Sequence, residues 1–151
     1  MATPTIPTEA TDATLSELEQ IAEAHDGVLY PEYVVDFAKN PATALHHKFD
    51  WDDTVAARKH RLHQARQIIR VSVRVLGDTP HVTRAFVSLS TDRSERGGYR
   101  RTVDVMTSDE QRETMLADAM AELVTFRRKY SHLKELAPLF ETMELLDSAT
   151  A

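Results

Sequence analysis

The chain has 151 residues, 42% of them hydrophobic and 28% charged, and no cysteine. That is the composition of one globular domain with enough apolar side chains for a core, and the missing thiols exclude disulfides, thiolate metal sites and cysteine nucleophiles. The formal net charge of −6 conceals an uneven layout: residues 1–53 carry 2 basic and 11 acidic side chains, residues 54–101 carry 11 and 3, and residues 102–151 carry 5 and 10.

A basic middle third flanked by acid either meets an anionic partner or is neutralised within its own fold. No apolar run approaches the roughly 18 residues of a membrane span, and the first residues have neither the basic end nor the apolar stretch of a signal peptide. A cytoplasmic protein with no membrane partner is expected.

Residues 1–13, rich in Thr, Pro and Ala, read as a disordered arm, which leaves residues 14–148 as a single α+β domain. Thr14 with Glu17 three residues on forms a capping box for a first helix over 15–25, whose apolar side is Leu15, Leu18, Ile21 and Ala22. Gly27 ends it. Pro31 opens a short second helix over 31–39, and Asn40-Pro41 closes that. Two short helices before a longer one resemble a helix-turn-helix layer in outline.

The long central helix is expected to start at Asp50, with Asp52 and Asp53 in its first turn, and to run to Arg70. At 100° per residue Trp51, Val55, Leu62, Ala65 and Ile69 share one arc, the buried side. Lys59, His63, Arg66 and Arg70 share the adjoining arc and form a basic ridge. Val71, Val73 and Val75 then alternate with other residues in strand spacing, followed by strands over about 82–90 and 99–106. This predicts a three-stranded antiparallel meander whose last loop carries Arg93 and Arg96, with Arg100 and Arg101 just beyond. Ser108 caps a helix that runs to about Tyr130 on a broad apolar face, and a final helix over 133–146 restarts or kinks at Pro138.

Catalytic chemistry is not written in these residues. His60 and His63 lie three apart near His46, His47 and Asp50, but no third ligand follows at a metal spacing. No serine occupies a nucleophile turn, and with four glycines neither a P-loop nor a dinucleotide fingerprint can be formed. No enzyme, cofactor or metal is expected.

The pattern Gly27-Val28-Leu29-x-Pro31-Glu32-x-Val34-Val35-x-x-Ala38, then Asn40-Pro41, Leu45-His46, Phe49-x-Trp51-Asp52-Asp53, Ala56-Ala57 and Arg61-Leu62-x-x-Ala65-Arg66-x-Ile68-Ile69, resembles a family of small uncharacterised proteins encoded by tailed phages and prophages. The likeness runs over nearly the whole chain. It implies a phage gene product acting inside a bacterium, in the host cytoplasm or in the virion, and brings no catalytic residue with it.

Two functions are therefore expected. In one, Lys59, His63, Arg66 and Arg70 with Arg93, Arg96, Arg100 and Arg101 hold the phosphates of DNA, in an accessory or regulatory role. In the other, the basic block docks on acidic surfaces of a second copy or of a host or phage protein, as in a homo-oligomer or a virion component.

Overall fold

The computed structural model describes residues 8–51, 54–75, 81–94 and 96–150. These residues form an α+β fold with six α-helices, a three-stranded antiparallel sheet and a two-stranded ribbon among them. Residues 1–7 of the expected arm lie outside the described residues, and helix α1, Thr8–Ala24, begins before Thr14. Thr14 is thus a buried residue inside the helix rather than its cap. Glu17 has a different task from the expected capping box. Its carboxylate accepts the backbone N–H groups of Ala44 at 2.7 Å and Leu45 at 2.8 Å, and so caps the 3-10 turn Leu45–Lys48.

Leu18, Ile21 and Ala22 bury the inner side of α1. The helix stops because Asp26 and Gly27 both turn left-handed, at φ 56° and 81°, and the Gly27 amide donates back to the Ala22 carbonyl at 2.8 Å. Strand β1, Val28–Leu29, follows directly, and Pro31 then opens α2, Pro31–Ala38, where its missing N–H costs nothing. Val34, Val35 and Ala38 complete this side of the core.

Helix α3, Val55–Val71, starts later than the acidic residues suggested. Thr54 is its cap, with the hydroxyl accepting the Ala57 amide at 3.1 Å, while Asp50 sits in the loop before it and takes Gln64 and His60 as partners. Asp52 and Asp53 lie outside the described residues. The later start moves Val55 out of the packed side, and it is 81% exposed. Ala65 and Ile69 remain fully buried against α2 and the sheet, with Leu62 packed beside them.

The strands part company with the expected meander. Strand β2, Val73–Val75, pairs with β3, Val82–Arg84, as a separate ribbon. Strand β4, Phe86–Val87, pairs with β5, Tyr99–Arg101, and β5 takes β1 on its other edge, giving the order β1-β5-β4. The switch occurs at buried Ala85. Its amide donates to the Ser72 carbonyl at 2.9 Å on the ribbon side, while its carbonyl accepts the Thr102 amide at 2.8 Å on the sheet side. The Thr102 hydroxyl adds a bond to the Arg84 carbonyl at 2.6 Å. With these groups already committed, residues 82–90 cannot form one continuous strand.

Strand β5 also ends early, at Arg101, because α4, Thr102–Thr107, replaces its expected second half. Helix α5, Asp109–Tyr130, is capped by Ser108 as its sequence suggests, and α6, Ala137–Thr150, restarts after a 3-10 turn with Pro138 in its first turn. The broad apolar face of α5 is not buried, however: no residue of the helix is. Met143 of α6 is the buried side chain of this hairpin.

Trp51 belongs to the loop before α3 and not to its buried arc, and it is half-buried. The indole N–H donates to the His46 carbonyl at 2.9 Å, the rings of His46 and Trp51 stack at 5.0 Å, and the Arg61 guanidinium lies 5.4 Å from the indole centroid. Trp51→Ala should cost about 2–3 kcal/mol in urea unfolding, below the roughly 3–5 of a fully buried aromatic, because part of the ring stays in water. A loss under half of that would show that the loop repacks without it.

Candidate nucleic-acid interface

The eight cations singled out in the sequence separate into two groups, and carboxylates decide which. Three of the four near the last loop are neutralised inside the fold. Arg96 donates from Nε to Glu32 at 2.7 Å and from Nη2 to the Tyr33 hydroxyl at 2.7 Å, and its guanidinium stacks 4.2 Å from the Tyr30 centroid. Arg100 makes a two-pronged pair with Asp92, at 2.7 and 2.8 Å. Arg101 pairs with Asp104 at 2.7 Å in the first turn of α4. The hydrogen bonds that Arg96 donates to Glu32, then to Tyr33, and those that Arg100 donates to Asp92 raise the two guanidiniums above their ordinary range. These three, expected from the sequence to hold phosphates, bond carboxylates of the fold and build the loop and its base instead.

The remaining cations line a surface. On α3, Lys59, His63, Arg66 and Arg70 stand at intervals of four, three and four, so they follow one side of the helix. Lys59 and His63 are exposed towards its start, while Arg66 and Arg70 enter an open cleft of about 340 Å³. The opposite wall comes from β3 with Arg84 and from the loop between β4 and β5 with Ser88, Arg93, Ser94 and Gly97; Phe86 and Tyr99 are the apolar floor. Arg93 is held by a bond from Nη2 to the Ser88 carbonyl at 3.3 Å.

Among the described residues, no carboxylate oxygen lies within ion-pair distance of Arg66, Arg70, Arg84 or Arg93. Four guanidiniums facing one cleft repel one another, and an entering anion relieves that repulsion while accepting their planar donor pairs. Arg84 was not among the residues read from the sequence. Its one signal there is that it is a lone cation inside an apolar strand, and only the break at Ala85 brings it opposite α3.

Other places on the molecule offer less. A cleft of about 310 Å³ between α1 and α2 is lined by Ile21, His25, Tyr33 and Phe37 with few polar groups. Among the described residues no three His, Asp or Glu side chains gather as a metal site. His46 spends its Nδ1 proton on the Ala38 carbonyl at 2.8 Å, and His60 faces Asp50 at 3.5 Å.

The loop carrying Arg93 is shaped by two carboxylates. Asp92, with its side chain only 10% exposed, receives Arg100, and its backbone carbonyl accepts the amides of Ser94 at 2.9 Å and Gly98 at 3.2 Å. Asp118 of α5 accepts the Ser90 amide at 2.8 Å. The Ser90 hydroxyl and then its amide lower the Asp118 carboxyl from its ordinary value, with Arg93 adding a smaller pull in the same direction.

Arg100→Ala should therefore leave a nearly buried carboxylate unpaired, costing about 2–4 kcal/mol and speeding amide exchange across residues 88–98. Equal exchange in both proteins would remove this role. For Asp118 the folded carboxyl is the stronger acid, so its contribution is complete above the ordinary value of 3.8 and is lost as pH falls below it. Asp118→Asn should flatten the acid limb of the stability profile without creating any new dependence above pH 5, as acid titration of unfolding can verify.

Compared with models of known families, with characterised proteins and with solved structures, the chain matches none.

Proposed function

We propose that this chain is a non-enzymatic, nucleic-acid-associated accessory or regulatory protein of a phage, acting in the cytoplasm of the bacterial host. The observation that carries the reading is the cleft lined by Arg66, Arg70, Arg84 and Arg93, none of which has a carboxylate within ion-pair distance among the described residues, Asp118 acting on Arg93 only at longer range. The phage context rests on the sequence resemblance. Among the described residues no helix is long and apolar enough to cross a membrane.

An extended polyanion suits the surface better than a small one. From Lys59 to Arg70 the helix rises about 16 Å, and duplex DNA carries one phosphate charge about every 1.7 Å of its axis. The ridge meets successive phosphates while the cleft clamps one between two elements. Guanidinium, serine hydroxyl and backbone groups contact phosphates without reading bases, so affinity should depend strongly on salt and weakly on sequence.

Fluorescence anisotropy with duplex and single-stranded oligonucleotides across a salt series tests this. Binding at low salt is expected, and each arginine removed in Arg66→Ala or Arg70→Ala should make the log–log salt slope shallower by about 0.9 on duplex. Lys39→Ala, whose ammonium is paired with Asp36 at 2.9 Å, should leave the slope unchanged. Undetectable binding at low salt, or a slope indifferent to Arg66 and Arg70, rules the reading out.

A further inference from the structure

Helix α5 poses a packing problem that its own chain does not solve. It has 22 residues and a run of apolar side chains, yet buries none of them fully. It meets α4 and the 3-10 turn Ser90–Asp92 at its base, and α6 returns along it, with Phe140 6.3 Å from Phe126 and Glu144 4.0 Å from Arg127. The hairpin leaves large apolar groups in water along its whole length: Leu116 is 53% exposed near the base, with Phe126 at 37% and Leu139 at 44% towards the tip. Exposed apolar surface extended over two adjacent helices marks a docking face.

Charge says what docks there. The base half of α5 carries Asp109, Glu110, Glu113 and Asp118 against Arg112, a net acidic end, while the tip carries Arg127, Arg128, Lys129 and Lys134 against Glu122, Glu135 and Glu141, a net basic one. Among the described residues Arg128, Lys129 and Lys134 have no carboxylate within ion-pair distance; Lys129 lies over the Tyr130 ring at 5.2 Å. A face that is acidic at one end and basic at the other is complementary to itself when turned end for end.

We infer that the α5–α6 hairpin is a homodimer surface on which a second copy of this chain packs antiparallel, base against tip. A two-fold axis across the middle of α5 then sets Leu116 of each copy near the other copy's tip, where Leu139 lies, and the glutamates of each base beside the cations of the other tip. A parallel pair would oppose like charges at both ends. The size is adequate: a 22-residue helix is about 33 Å long and two helices are about 20 Å wide, a footprint on the order of 660 Å², close to the roughly 800 Å² per partner of a standard interface. This inference rests on none of the residues of the basic cleft.

Sedimentation equilibrium of the full chain at low ionic strength is the test, with circular dichroism to establish that each variant is folded. The wild type should dimerise, and Leu116→Glu or Leu139→Glu should each raise the dissociation constant by about tenfold or more, the loss expected for a central apolar contact. A tip variant, Arg128→Glu with Lys129→Glu, and a base variant, Glu110→Lys with Glu113→Lys, should each be weakened alone and should form a heterodimer when mixed, since mixing restores opposite charges at both ends. A wild type that stays monomeric up to about 100 µM, a dimer indifferent to the two leucine variants, or a mixture of charge variants that does not associate overturns the inference.

Discussion

The pair between Asp92 and Arg100 is the interaction on which the candidate site depends most. One nearly buried carboxylate takes two hydrogen bonds from a guanidinium on β5, and its own backbone carbonyl takes two amides of the loop. The loop between β4 and β5 is thereby folded back on its strand instead of extending into solvent. Its neighbour Arg93 is left facing α3. Arg96, a few residues on, locks the far side of the loop by stacking on Tyr30 and bonding Glu32 of α2. The arginines that hold the loop and the arginine that the loop presents are different residues, and a carboxylate hydrogen-bonded directly to the guanidinium separates them.

The same division operates across the molecule. The acidic N-terminal helices and the basic middle third meet at Glu19–Arg74 and Glu32–Arg96, and Asp92 and Asp104 absorb Arg100 and Arg101. What is left over is not spread evenly. It collects where α3 passes β3 and the β4–β5 loop, because these elements supply Arg66, Arg70, Arg84 and Arg93 but no acid among the lining residues. A net negative protein can therefore carry a local positive field strong enough to attract phosphate, since the potential at a cleft follows nearby charges within about a Debye length of 8–10 Å.

The C-terminal hairpin stands apart from this arrangement in its energetics. The body of the fold buries Leu18, Leu29, Leu45, Ile69 and Phe86 in one core, whereas α5 and α6 together bury Met143. A long helix in water draws little stability from propensity alone and needs a packed face. The hairpin is thus the part of the chain whose stability would respond most to a partner on that face, as mass action requires of any association that selects the folded form.

Local signals in the sequence were enough for much of this architecture. Gly27, Pro31, Ser108 and Pro138 mark helix ends through their own backbone chemistry, and the 3.6-residue period of α3 put Ala65 and Ile69 inside and Arg66 and Arg70 along its edge. These are short-range effects, so the sequence by itself determined them. It could not determine where α3 begins, because Asp50 and Thr54 are both competent caps and the choice fell to the stack of Trp51 on His46. Nor could it determine the sheet: the alternation of residues 82–90 permits one strand, and only the hydrogen bonds of Ala85 with Ser72 and Thr102 divide it. The cleft is tertiary for the same reason. Whether an arginine is neutralised depends on a carboxylate brought near it from a distant part of the chain, as Glu32 is to Arg96, and spacing along the sequence carries no record of that distance.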